Sequence, residues 1–208
     1  MKRLILITAF FALASGCGDN NPSQNNSAET IHDERDGSTY RAVKMPNGTV
    51  WTAQNLNIKI GNSWCYRDSN TYCNKYGRLY DWETARMACP EGWHLPNVVE
   101  WWDLAVAVGG YDIAGKKLKA KKGWYDYRQA SGVGGNGTDN YGFSALPGGY
   151  RTSGGGFYNT DSTGYWWVGE KFGSDRAYIR AMNSRFDNLG EADYPLNSGL
   201  SVRCIKDQ

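Results

Sequence analysis

CPEGWHLPNVVEWWDLAVAVGG, residues 89–110, is the stretch on which the fold turns. Asn97 followed three residues later by Glu100 has the capping-box spacing, in which each side chain satisfies the other's exposed amide. Trp101, Leu104, Ala105 and Val108 then recur at i, i+3, i+4 and i+7, one apolar face of a helix. Gly109-Gly110 can take the left-handed backbone that closes it. Upstream, Asp81 is placed to cap an earlier helix running to about Cys89. Trp82, Ala85 and Cys89 share its buried stripe, so the cysteine points inward.

Outward from these two helices the signals become those of strands. Residues 40–45 and 49–56 flank Pro46-Asn47-Gly48, and Asn-Gly supplies the positive φ angles of a tight hairpin turn. Beyond Gly115 helical signals fade. Lys116, Lys117, Lys119, Lys121 and Lys122 form a basic cluster, expected to be a solvated face, with an anion patch as the alternative. Short apolar pieces follow between glycines, at residues 143–146, 165–168, 177–182 and 201–205. Glycine supplies 26 of the 208 residues, well above the usual ~7%. Two helices and then a glycine-rich meander predict an α+β domain.

The N-terminus reads as an address. Lys2 and Arg3 precede an apolar run at residues 4–13, too short to span a bilayer comfortably. Ala14-Ser15-Gly16-Cys17 resembles a bacterial lipobox, although Ala14 stands where leucine is commonest. The resemblance implies a lipoprotein signal peptide at residues 1–16, removed before an acylated Cys17. Residues 18–38, GDNNPSQNNSAETIHDERDGS, carry almost no large apolar side chain and are expected to be a flexible tether with a mean reach of about 25 Å. The domain is expected to span residues 39–208. Without Lys2 and Arg3 the 23 basic residues fall to 21, matching 21 acidic ones. A neutral chain lacks the basic excess that nucleic-acid binding needs.

Four cysteines remain after Cys17: Cys65, Cys73, Cys89 and Cys204. An even count in an exported chain points to disulfides, with three connectivities open. The turn-like Asp68-Ser69-Asn70 makes a local Cys65–Cys73 hairpin bridge plausible, leaving Cys89 for Cys204. Zinc is the rival reading, but the C-x7-C and C-x15-C spacings do not match zinc patterns.

Several phrases together resemble the Fibrobacter succinogenes major paralogous domain. They are VWTAQNLN (50–57), YGRLYDWETA (76–85), CPEGWHLPNVVEW (89–101), DNYGFSALPGGYR (139–151) and SVRCIKD (201–207), in the family's order. The resemblance implies a bacterial, exported, often lipidated protein. More widely, residues 92–110 and 200–207 resemble the formylglycine-generating and sulfatase-modifying proteins. That superfamily implies a C-type-lectin-like fold: two helices, a small twisted antiparallel sheet and long irregular loops. Its helix-to-last-strand disulfide corresponds to Cys89–Cys204.

Catalytic signals are sparse. The expected domain holds one histidine, His94, which any Ser-His-Asp or Cys-His arrangement would have to use; flanked by Trp93 and Leu95, it reads as structural. Formylglycine-generating activity needs a C-terminal thiol pair, whereas Cys204 is the only cysteine after Cys89. The Glu-Pro-Asn, Gln-Pro-Asp and Trp-Asn-Asp motifs of calcium-dependent lectins are absent. A structural calcium at Asp139-Asn140 competes with a simple turn. The richest recognition chemistry lies in residues 165–197, with Trp166, Trp167, Glu170, Tyr178, Arg180, Asn183, Arg185, Asn188 and Tyr194. Flat rings stack on sugars or anchor protein contacts, and polar side chains set orientation. Since strand neighbours alternate, at least one of Trp166 and Trp167 must face the core. The expectation is a non-catalytic outer-membrane lipoprotein facing the cell surface, binding a polysaccharide or a surface protein without a cofactor. A structural envelope protein without a soluble ligand is the alternative, and an enzyme related to the formylglycine-generating proteins a more distant one.

Overall fold

Ile31 and Asp33 alternate inward along a strand that the composition did not announce. The structure, a computed structural model, describes residues 29–127 and 134–208. Its first strand, β1 (Glu29–Asp33), pairs antiparallel with β2 (Ser38–Lys44). Residues 29–38 therefore belong to the fold rather than to the expected tether. Ile31 is buried, and the buried Asp33 carboxylate takes two hydrogen bonds from the Arg35 side chain, at 2.8 and 2.7 Å. Those contacts offset the low apolar content that suggested a free linker. His32 lies in β1, so the domain holds a second histidine, exposed on the strand's outer face. Cys17 and residues 18–28 lie outside the described residues.

The Asn47-Gly48 turn forms as predicted, with Gly48 at φ +87°. It joins β2 to β3 (Val50–Thr52), setting Val43 opposite Trp51. After β4 (Ser63–Trp64) and a 3-10 turn (Tyr66–Asp68) come α1 (Asn70–Tyr76), β5 (Leu79–Tyr80) and α2 (Trp82–Ala85). Asp81 caps α2 as expected, accepting from Thr84 N at 2.8 Å. The helix stops short of Cys89 because the chain tightens into i→i+3 bonds, Met87 N to Thr84 O and Ala88 N to Ala85 O. Then follow β6 (Trp93–His94), α3 (Val98–Ala107) and α4 (Tyr111–Leu118). The capping box of Asn97 and Glu100 is complete at 2.9 and 2.8 Å. The second half supplies β7 (Tyr150–Arg151), β8 (Phe157–Tyr158), β9 (Thr163–Phe172), β10 (Arg176–Asn183), β11 (Gly190–Pro195) and β12 (Ile205–Lys206).

The strands form a five-stranded sheet ordered β1-β2-β3-β12-β6, a three-stranded sheet β11-β10-β9, and the pairs β4-β5 and β7-β8. Ile205 closes the larger sheet by pairing with both Trp51 and His94. Among the described residues there are four helices instead of two, and the sheets are antiparallel, so the fold is α+β. Residues 143–146 form no strand, only an isolated bridge at Ala145.

Two apolar clusters fill the interior. One holds Leu56, Tyr80, Trp82, Trp167, Ile179 and Val202. The other holds Trp51, Trp101, Leu104, Phe143, Trp166 and Val168. Both disulfides form, Cys65–Cys73 and Cys89–Cys204. Cys65–Cys73 does not cross a hairpin: it ties the start of the 3-10 turn to α1. Cys89–Cys204 joins the loop after α2 to the residue just before β12, and Cys204 is buried in the first cluster.

Candidate functional site

β9 runs between the two clusters, so both of its faces are covered. Trp166 and Trp167 alternate as strand neighbours must, and each reaches a core: both are 0% exposed. Trp166 donates to Asn55 Oδ1 at 2.9 Å, and Trp167 donates to the Tyr80 carbonyl at 2.7 Å. Neither can meet a ligand. Arg180 is buried as well, reaching Glu191 at 3.0 Å and its neighbour's carbonyl at 3.2 Å. The ligand face expected from sequence therefore loses three of its members to the core.

The remaining members are scattered. Glu170 accepts from Val98 N at 3.1 Å, covering an end of α3. Tyr178 packs edge-on to Phe172, centroids 5.2 Å apart. Asn183 donates to Thr163 Oγ1 at 2.8 Å and accepts from Arg185 N at 2.8 Å, a turn-stabilising pair. The Arg185 guanidinium lies 4.4 Å from the Tyr127 ring centroid. Asn188 is exposed.

Tyr194 belongs to something the sequence reading missed. Its ring centroid lies 5.2 Å from Tyr150 and 5.6 Å from Tyr165. Tyr150 is 5.1 Å from Tyr165 and 5.8 Å from Tyr158. Tyr165 shares a strand face with Trp167, so the patch is the outer margin of that core. Tyr150 and Tyr158 are brought together by the β7–β8 pair, in which they are direct partners. Three of the rings are half-buried and Tyr158 is 52% exposed. Beside them Arg151 lies 4.2 Å over Trp64 and 6.0 Å from Phe157, both half-buried. Burial pushes the Tyr194 and Tyr150 phenols up, so both stay protonated and can donate hydrogen bonds at any physiological pH. The patch thus offers ring faces, ring edges and phenolic hydroxyls, with Arg151 at its border. Two of its tyrosines flank RTSGGGF, where glycines hide strand periodicity; only their symmetric placement about that turn hinted at a hairpin.

His94 has both nitrogens engaged. Nδ1 meets Asp207 at 2.5 Å and Nε2 meets Glu100 at 2.8 Å. A general base needs one free nitrogen facing its substrate. This imidazole instead joins β6, the C-terminus and the capping box of α3. At Asp139 the two carboxylate oxygens accept from Ser144 N and Oγ, each at 2.7 Å, around a turn at residues 140–141. Among the described residues no group of three or more His, Cys, Asp or Glu side chains could hold a metal ion. Lys119 leaves the expected solvated cluster altogether: it is 0% exposed and donates to the carbonyls of Asn183 and Phe186 at 2.9 and 2.8 Å. Burial pulls its pKa down to about 8, with the Asp187 carboxylate opposing the shift only in part.

Fold and patch together define a disulfide-braced α+β domain with a half-exposed aromatic surface. The Fibrobacter succinogenes major domain matches residues 24–206, and the chain belongs to that family. Neither a curated protein nor a solved structure matches the chain.

Proposed function

We propose that this protein is a non-catalytic recognition module of the bacterial cell envelope, held to the outer membrane through a lipid on Cys17, faced to the cell surface, and binding a polysaccharide. The tyrosine patch carries the reading. Four converging rings with phenolic hydroxyls suit the flat, hydroxyl-edged faces of sugars, which stack on aromatic planes and accept hydrogen bonds at their rims. The apolar run at residues 4–13 followed by Ala14-Ser15-Gly16-Cys17 supports the anchor. A C-type-lectin-like arrangement is supported by the α3 helix, the small antiparallel sheets and the Cys89–Cys204 link to the last strand.

The test is retention of the oxidised full chain, in mild detergent, on insoluble cellulose and xylan beside Tyr158→Ala. Tyr158 is exposed, so its truncation leaves the circular dichroism spectrum unchanged. Losing one stacking ring is expected to weaken retention roughly fivefold, from an aromatic contribution of about 1 kcal/mol. Equal retention of parent and variant would remove the patch from the site. No retention of the parent would turn the reading toward a surface protein as ligand, to be sought by cross-linking in the native envelope.

A further inference from the structure

We propose that a second site, the cleft between β2, the chain after β3 and the end of α1, binds a hydroxyl-rich carboxylate, a uronic acid unit being the polymeric form of that chemistry. It uses none of the patch residues and stands independently of the reading above.

The cleft holds ≈ 310 Å³, at the lower end of the range for small-ligand sites and enough for one sugar ring. One wall is Ser38 to Arg41 on β2. The floor includes Gln54, Asn55 and Asn57, and the opposite wall runs from Cys73 to Gly77. These parts are fixed to one another. Gln54 accepts from Arg41 N at 2.8 Å, and the Tyr40 hydroxyl accepts from Asn57 N at 3.1 Å. Asn55 Nδ2 donates to the Tyr76 carbonyl at 2.8 Å. Cys73 is pinned from behind by its disulfide to Cys65.

The charge pattern selects the ligand. Arg41 and Lys75 line the cleft, and no Asp or Glu does. The neighbouring carboxylates are turned to other tasks. Asp36 accepts from Ser38 N, Asp139 accepts from Ser144, and Asp161 takes Lys75 at 3.3 Å and the Tyr76 hydroxyl. Carbonyls at a helix C-terminus disfavour anions. Here Cys73 O is taken by Gly77 N at 2.8 Å and Tyr76 O by Asn55, so that repulsion is blunted. Arg41 makes no ion pair among the described residues, and its planar fork matches a carboxylate. The amides and hydroxyls of Gln54, Asn74, Ser38 and Thr39 suit a ring bearing several hydroxyls.

Titration calorimetry on the full chain in mild detergent tests this, with glucuronate, open-chain gluconate, neutral glucose and inorganic phosphate as probes. Glucuronate is expected to bind at least tenfold more tightly than glucose. Arg41→Gln should erase that preference, and Lys75→Gln, whose ammonium Asp161 already holds, should reduce it less, both without altering circular dichroism, whereas Tyr158→Ala should leave it intact. Gluconate binding as tightly as glucuronate would keep the carboxylate site and assign it to free hydroxy acids; weaker gluconate would assign it to uronates of a polymer. No heat with either carboxylate, no preference over glucose, or phosphate binding as tightly as glucuronate would overturn the proposal.

Discussion

The Asn55 carboxamide is saturated by groups far apart in the chain. Its Oδ1 accepts from Trp166 Nε1 at 2.9 Å and from Arg203 Nε at 2.7 Å, while Nδ2 reaches the Tyr76 carbonyl. Arg203 is buried with no direct ion pair among the described residues, Asp139 acting on it only at longer range, and its guanidinium is held by Asn55 and by the carbonyls of Thr52, Phe143 and Ser144. Burial lowers its pKa, so each oxygen it keeps matters. Asn55→Ala removes one of those oxygens and strands the Trp166 indole. The expected loss is about 3 kcal/mol in urea unfolding, from a charge-assisted hydrogen bond and a newly unpaired buried donor. Asn74→Ala, an exposed neighbour, should stay within about 0.5 kcal/mol. Similar losses in the two variants would show that the buried network contributes little. Both Asn55 and Arg203 stand in phrases whose wording was legible in the sequence, but their partnership was not. Nothing in local spacing joins a residue after β3 to one before β12.

Among elements, α3 was readable because every local signal agreed: a cap, a capping box, a four-residue apolar stripe and a glycine stop. By contrast, α4 was not, because YDIAGKKL carries a glycine inside and few apolar residues. A helix-interior glycine costs ~1 kcal/mol against alanine. Gly115 is there for a tertiary reason: a Cβ would lie 2.2 Å from the Asn188 carbonyl, so only glycine lets α4 pass that loop. The patch was hidden for a similar reason, since β7 and β8 are too short to show alternation. The clamp on α3 has a pH signature. Burial tends to lower the His94 pKa, but hydrogen bonds and charges from Asp207 and Glu100 leave it raised. A raised folded pKa contributes stability fully below the unfolded value of about 6.5, and the contribution is lost as pH rises through the folded pKa. His94→Asn should therefore lower the urea midpoint clearly at pH 5.5 and much less at pH 9. An equal shift at both values would mean that the imidazole acts only by packing. Exposure of this side chain (42%) keeps the effect modest.

At the scale of the whole molecule, the two disulfides do different jobs. Cys89–Cys204 closes a separation of 115 residues and Cys65–Cys73 one of 8. In the chain-entropy account these contribute about 5 and about 2.5 kcal/mol respectively. The long bridge holds the last strand, and with it Arg203 and Ile205, against the region after α2, so both apolar clusters depend on it. The short bridge backs the wall of α1 that faces the Arg41–Lys75 cleft. Cys89→Ala/Cys204→Ala should thus lower the denaturation midpoint by roughly twice as much as Cys65→Ala/Cys73→Ala. Glucuronate binding should follow the opposite order under conditions where both variants remain folded: α1 loosens in the short-bridge variant and keeps its place in the other. Calorimetric unfolding and ligand titration on the same two preparations separate the roles. If the short-bridge variant proved the less stable of the two, local geometry and not loop closure would govern the contribution. If it bound glucuronate as the parent does, α1 would hold the cleft wall without its sulfur pin, through Asn55, Gly77 and the pairing of Arg78 N with the Leu56 carbonyl at 2.9 Å.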